Sequence, residues 1–343
     1  MKILVTGGTG YIGSHTVVEL QQAGFEVVIA DNLVNSKAWI LNAIAEITGT
    51  MPAFEKVDLS DPAQTEGLFG RHKDIGAVIH FAALKAVGDS VERPLDYYRN
   101  NIYSLVNVLA EMKRHGAGNF VFSSSCTVYG QPDALPVRED TPRKEAESPY
   151  GNTKKIAEDI LHDEVKASGL HCIALRYFNP IGAHSSALIG ELPLGVPGNL
   201  VPYITQTAIG KREKLKVFGN DYDTRDGTPV RDYIHVVDLA KAHLVALNRM
   251  SSNKQKSPWE IFNLGTGNGF TVMEVIRSFE KVSSEKLNYE ITGRRPGDIE
   301  KVWADTTHAN EELGWKAKLS LDDMMRSAWK WELTLKEKNK NKQ

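Results

Sequence analysis

Cysteine is nearly missing: 343 residues hold only Cys126 and Cys172. Neither stands in a Cys-x-x-Cys or Cys/His spacing, so no zinc site, other metal site or dithiol redox motif is expected. No apolar run approaches the roughly 18 residues of a membrane span. The apolar stretch near Met1–Gly7 is shorter than a secretory signal requires. A soluble cytoplasmic protein without a membrane partner is therefore expected. An excess of positive charge is also lacking. Lys plus Arg number 41 against 43 Asp plus Glu, a formal net charge of −2. A broad nucleic-acid footprint needs a basic excess, so nucleic acid is not an expected partner. No repeat of about 20–50 residues is visible.

What is present is ordinary for a globular chain: 41% hydrophobic and 24% charged residues. Disorder is excluded at that composition. The length suggests roughly two domains. It also suffices to bury about three quarters of the unfolded surface without a disulfide or metal staple.

Short β-rich runs alternate with helical patterns in the first half. The runs are Lys2–Thr6, Glu26–Ala30, Phe54–Val57, Ala77–Phe81, Phe120–Ser123 and Cys172–Arg176. Several are continuously apolar, as in strands buried on both faces. Helical spacing fills Ile12–Ala23, Pro94–His115 and Tyr150–Ser168. The alternation predicts an α/β fold with a parallel sheet covered on both faces. After Tyr177 the texture changes. Residues 178–202 are rich in Gly, Pro and Asn and read as loop. His235–Arg249 reads as a helix and Ile261–Leu264 as a strand returning to the sheet. Ser251–Ser257 reads as an exposed loop, and the polar run Lys336–Gln343 as a frayed end.

The first strand leads into Thr6-Gly7-Gly8-Thr9-Gly10-Tyr11-Ile12-Gly13. Gly7, Gly10 and Gly13 allow a tight turn and close approach to a pyrophosphate. The helix behind them offers unpaired N–H groups and the positive end of its dipole. Asp31 closes the second strand, where a carboxylate accepts from both ribose hydroxyls and repels a 2′-phosphate. The pattern predicts a Rossmann-type doubly wound sheet and favours NAD over NADP. The bland alternative for Asp31 is a turn cap.

Tyr150 and Lys154 are four residues apart at the start of a predicted helix, hence on one face. Tyrosine ordinarily titrates near 10 and is a poor base at neutral pH. A neighbouring ammonium favours the phenolate. Upstream, Phe120–Ser125 carries a strand into three hydroxyls, and strand carboxyl ends are where open α/β sheets bind ligands. Ser125, Tyr150 and Lys154 are the candidate catalytic group.

With those residues in view, the sequence resembles the extended short-chain dehydrogenase/reductase family, and within it the branch that epimerises UDP-hexoses at C4. The resemblance runs from about Met1 to Trp315. Its blocks include Gly7–His15, Phe81–Val87, Ser123–Gly130, Tyr150–Lys154 and Arg176–His184, then Val217–Val237 and Arg294–Asp305. It implies tightly held NAD that is not consumed and a transient 4-keto sugar. It implies two lobes: residues 1–179 as the NAD-binding domain, with the sheet revisited at about 234–264, and 180–343 as a smaller mixed α/β lobe for the nucleotide sugar.

The same resemblance assigns contacts. Tyr11 and Ile12 would cover the pyrophosphate, Asp31 and Asn32 the adenosine ribose, and Asp58 and Leu59 would border the adenine. Phe81, Ala82, Ala83 and Lys85 would lie near the cofactor, with Asn100 and Phe178 on the nicotinamide side. A UDP diphosphate, carrying about two negative charges, needs cations or N–H donors. Arg231 and Arg295 would supply them. Asn179, Asn199 and Leu200 match a substrate-contacting loop, Lys216-Val217-Phe218 a segment beside the uracil, and Asp298 a carboxylate near the substrate hydroxyls. Valine at 302 is small, which implies room for a 2-acetamido group and so UDP-GlcNAc/UDP-GalNAc as further substrates.

Cys126 stands where similar enzymes often have alanine, and is expected to behave as a small hydrophobe. Similar 4,6-dehydratases carry acidic residues after the serine, and Ser125-Cys126-Thr127-Val128 supplies none. A non-catalytic NAD-binding scaffold would be expected to lack Tyr150, Lys154 or Ser125. The resemblance also implies a homodimer paired through Pro94–His115 and Tyr150–Ser168, a two-fold arrangement being the commonest.

Overall fold

In a computed structural model, residues 1–295 and 299–340 are described, with side chains to 338. The chain opens with β1 (Lys2–Thr6), α1 (Tyr11–Gln22), β2 (Glu26–Asp31), α2 (Ile40–Thr48), β3 (Ala53–Lys56) and α3 (Pro62–Arg71). Next come β4 (Ile75–His80), α4 (Val87–Glu92), α5 (Pro94–His115), β5 (Asn119–Ser125), α6 (Pro149–Ser168) and β6 (His171–Tyr177). The second half contains β7 (Asn179–Ile181), α7 (Leu200–Ala208), β8 (Leu215–Phe218), β9 (Val230–His235) and α8 (Val236–Ser251). It continues through β10 (Trp259–Leu264), β11 (Gly269–Thr271), α9 (Val272–Ser283), β12 (Tyr289–Thr292), β13 (Lys301–Val302) and α10 (Leu321–Lys340).

Seven strands form one sheet in the order β10-β6-β5-β4-β1-β2-β3, all pairs parallel. Its continuous apolar strands sort their residues by period two. Ile3 and Val5 face one layer, with Val17 and Leu20 of α1 and Leu239 and Leu247 of α8. Leu4 faces the other, with Leu68 of α3, Leu105 and Val108 of α5 and Leu161 of α6. Burial on both faces is why these runs lack polar alternation. The strand order reverses beside β1, which opens a crevice at the carboxyl ends of β1 and β4.

The smaller lobe has its own core. β7, β11 and β13 pair with β9, and β8 pairs with β12. Val217, Tyr233, Phe279 and Met324 pack together beneath α7, α9 and α10.

Several element edges differ from the sequence expectation. β5 extends through Ser125 and β6 through Tyr177, because each strand keeps parallel partners to its end. The segment 178–202 is not all loop: β7 pairs with β9, and α7 begins at Leu200. Residues 336–340 continue α10 rather than fraying. That helix is docked upstream, where Trp331 Nε1 donates to the Glu191 carbonyl at 2.8 Å. Residues 341–343 lie outside the described residues. Among the described residues no helix is long and apolar enough to cross a membrane, and no cluster of three His, Cys, Asp or Glu is placed to hold a metal.

Candidate active site

The glycine loop sits in the crevice. Gly7 has φ +67°, and a side chain there would meet the Ala82 backbone at 2.9 Å. A Cβ on Gly13 would lie 2.3 Å from the Gly7 carbonyl. Helix α3 begins under the Asp61 carboxylate, and α6 under the Ser148 hydroxyl. Helix α1 begins after Gly10 with no side-chain cap, like α2, α4, α5 and α7, but behind a loop of closely packed glycines. Its first N–H groups and dipole end are thus offered to an anion. A cradle that any side chain would fill, ending in uncapped N–H groups, fits a dinucleotide pyrophosphate.

Asp31 ends β2 beside this loop. Its Oδ2 accepts from Thr9 N–H at 3.2 Å and its Oδ1 from Leu33 N–H at 2.8 Å. The turn-capping role is therefore present, and the half-buried carboxylate stays at the cradle's edge. Asn32 caps its own turn through Val34 N–H, Asp58 accepts from Ser60, and Leu59 is buried. Ile12 packs on the core, while Tyr11 donates to the Gly182 carbonyl at 2.6 Å and so reaches the second lobe.

Phe81, Ala82 and Ala83 are half-buried beyond β4, and Lys85 is exposed. Lys85 Nζ stands 3.4 Å from Glu191, whose Oε1 also accepts from Asn199 Nδ2 at 2.6 Å. Glu191 thus joins a cofactor-side residue to a substrate-side one, and sequence reasoning missed it. It missed Asn101 too. Asn100 donates to Asn101 Oδ1, and buried Asn101 bridges Leu84 to Thr153 of α6. The signal was an amide in the buried stripe Tyr97, Asn101, Ser104, Leu105 and Val108 of α5.

Ser125, Tyr150 and Lys154 do come together. The Tyr150 phenol, only 9% exposed, has the Ser125 hydroxyl among its neighbours, and that hydroxyl accepts from Thr127 N–H at 3.3 Å. Lys154 Nζ lies 6.0 Å from the Tyr150 ring centroid and donates to the Ser123 carbonyl at 2.6 Å. The expected easing of the phenol by the ammonium does not prevail over burial. Burial pushes Tyr150 well above its ordinary value, with Tyr177 and Cys126 adding to it and the Ser125 hydroxyl opposing. Burial also brings Lys154 down to about 8, against the charge of Glu158. The pair is a neutral phenol beside an ammonium that gives up its proton more easily than a free lysine. Cys126 next door is no reactive thiol, since burial pushes it up to about 12.

On the substrate side, Asn179 lies on β7 and Asn199 immediately precedes α7 without capping it. Leu200 and Val217 pack into the smaller lobe's core, so Val217 offers only backbone, where its carbonyl accepts from Thr292. Lys216 and Phe218 alternate outward, Phe218 being 39% exposed. Arg231 is half-buried on β9, its Nη1 donating to the Val230 carbonyl at 2.8 Å. Arg295 is exposed. Asp298 lies outside the described residues. Val302 pairs with Arg231 and packs with Val128, Tyr129 and Phe178.

A glycine cradle at β1/α1 and a Ser–Tyr–Lys group at β5/α6, on one end of a parallel sheet, define a short-chain dehydrogenase/reductase. The family model for GDP-mannose 4,6 dehydratase matches residues 4–328. UDP-glucose 4-epimerase of Pongo abelii is 49% identical over 338 residues, 96% of each chain. UDP-glucose 4-epimerase from Stenotrophomonas maltophila, crystallised with bound NAD and formylated UDP-arabinopyranose, is similar at TM-score 0.94 and 48% identity, over 98% of this chain and 99% of that one. The enzyme from Bifidobacterium longum, in complex with NAD+ and UDP, gives TM-score 0.93 and 46% identity over 97% and 98%. The chain belongs to the UDP-glucose 4-epimerase branch of the extended short-chain dehydrogenase/reductase family.

Proposed function

We propose that the chain interconverts UDP-glucose and UDP-galactose by inverting C4, with NAD held in the glycine cradle. The observation that carries this reading is the Ser125–Tyr150–Lys154 group on the same sheet end as that cradle. The relatives' activity and the ligands of the two solved structures support it. Gly7, Gly10, Gly13, Tyr11 and Asp31 would hold NAD. Bound NAD supplies the hydride acceptor, and then the hydride donor, at C4.

The chain's own residues do the rest. Tyr150 removes the proton from the 4-hydroxyl as phenolate, and Ser125 orients that hydroxyl. Lys154 contributes the positive charge that eases the phenol. Arg231 and Arg295 anchor the diphosphate, with Asn179, Asn199 and Phe218 along the nucleotide. Tight binding at UDP with few clamps on the sugar lets the 4-keto sugar turn and present its other face. Small Val302 extends the range to UDP-GlcNAc and UDP-GalNAc. Residues 1–179 with about 234–264 serve NAD, and 180–343 otherwise serve the sugar nucleotide. A cytoplasmic homodimer completes the reading. Helix α5 leaves Leu95, Tyr103 and Val106 exposed for a second copy.

The test is incubation of purified protein with UDP-galactose and no added cofactor. UDP-glucose is the expected product. A 4-keto-6-deoxy sugar would instead mark a dehydratase, and no product a scaffold. A parallel incubation with UDP-GalNAc checks the wider range, which is withdrawn if no UDP-GlcNAc forms.

A further inference from the structure

Three consecutive serines end β5, and each stands against a different residue of α6. Ser125 neighbours Tyr150, and the Ser123 carbonyl accepts from Lys154. The Ser124 hydroxyl donates to Glu158 Oε1 at 2.6 Å. Tyr150, Lys154 and Glu158 follow one another every four residues, along one helix face. The third rung of this ladder has no role in the reaction described above.

Glu158 is 2% exposed and densely held. Arg176 of β6 grips it with both arms, Nε to Oε1 at 2.8 Å and Nη2 to Oε2 at 2.6 Å. Arg143 adds Nη1 to Oε2 at 3.3 Å. Arg176 also donates to the Tyr129 hydroxyl at 2.9 Å, which donates to Asn263 of β10 at 2.6 Å. A network this buried and this saturated holds its members in one geometry.

We propose that Glu158 is a positioning residue for the epimerase chemistry: it locks α6 against the end of β5 and keeps Lys154 charged beneath Tyr150. The proposal rests on the C4-epimerase reading. A buried lysine tends to lose its proton, and burial has already brought Lys154 down to about 8. The surrounding groups give little relief. His80 of β4 is neutral, held at about 3 by burial and by Lys154 itself. Phe122 of β5 offers only a ring face at 4.9 Å. Arg176 and Arg143 are positive, and Tyr150 is neutral at rest. Glu158, one turn further along the same face of α6, is the carboxylate whose charge supports Lys154. Without that charge burial lowers Lys154 further, and the phenolate loses its support.

The experiment compares NAD-loaded wild type, Glu158→Gln and the double variant Glu158→Leu/Arg176→Met. The glutamine keeps an oxygen for Ser124 but no charge. The double variant removes the ion pair together, an exchange that buried pairs often tolerate in folding. Initial rates with UDP-galactose are measured from neutral to alkaline pH, with NAD content and thermal unfolding alongside. The basic limb of kcat should move down by about one pH unit in Glu158→Gln and by less in the double variant, which removes a cation together with the anion. KM and NAD content should stay within about two-fold of wild type. A wild-type pH profile in folded, loaded Glu158→Gln overturns the proposal. So does a fall in kcat that merely tracks lost NAD or lost folding in both. An inactive wild type overturns the functional reading itself.

Discussion

Tyr150 shows how little its own chemistry settles. A phenol in water is a weak acid, and burial makes this one weaker still. It becomes useful only because Ser125 and Lys154 stand near it. Tyr150→Phe should cut turnover by about 10²–10⁴-fold, the usual worth of a positioned acid–base group. Folding and NAD content should stay at wild-type levels, since the ring remains and only the hydroxyl is lost. Near-normal rates from that variant would remove Tyr150 from the reaction. At this scale the sequence was informative wherever the partner is near in the chain. Tyr150 and Lys154 share a helix face, and the Asp31 turn closes on Leu33 and Ser36. It was silent on Asn101, Glu158 and Glu191. Asn101 meets Thr153 across 52 residues, Glu158 meets Ser124 across 34, and Glu191 meets Lys85 across 106. No spacing rule reaches that far.

Between residue and molecule, elements decide what backbone is left free. Helix α1 lacks a side-chain cap, as α2, α4, α5 and α7 also do, and what sets it apart is the glycine loop that leaves its N–H groups room for an anion. Gly13→Ala should therefore fail where another helical glycine would not. Its Cβ would overlap the Gly7 carbonyl, and overpacking of this kind costs about 1–3 kcal/mol. Gly70, in α3, has open space around it. Gly70→Ala should hold or raise stability by up to about 1 kcal/mol, as alanine favours helices. Thermal unfolding and NAD retained through gel filtration read both variants. Equal NAD retention in Gly13→Ala would show that the cradle is not where the cofactor binds. The same scale explains the misread tail. Its polar composition offers no apolar stripe, yet α10 continues through Lys340 because Met324, Met325 and Trp331 dock the helix upstream.

For the whole molecule, the near-neutral net charge hides an uneven interior. Lys154, Glu158 and Arg176 are buried together, with Glu158 paired to Arg176. The exterior matters for assembly. Tyr103 and Val106 stand exposed on α5, the helix expected to pair with its copy. Tyr103→Glu should weaken a dimer by at least about ten-fold in Kd, since it sets like charges facing each other in a two-fold interface. Sedimentation velocity over a dilution series measures this, and a wild-type chain that stays monomeric when concentrated removes the dimer from the reading.

Sequence alone determined the layered sheet, the glycine cradle and the tyrosine–lysine pair. Strand alternation, helix turns and glycine bends are local, and each shows within a few consecutive residues. Tertiary structure alone decided that Ser124 and Arg176 hold Glu158, which asparagine braces α6, that Val217 turns inward and that burial favours the Tyr150 phenol. Burial and long-range pairing depend on where distant segments meet. The two cysteines whose scarcity excluded a metal or redox centre end as plain packing: Cys172 lies inside the sheet's core, and Cys126 is a half-buried thiol beside the site with its proton firmly held.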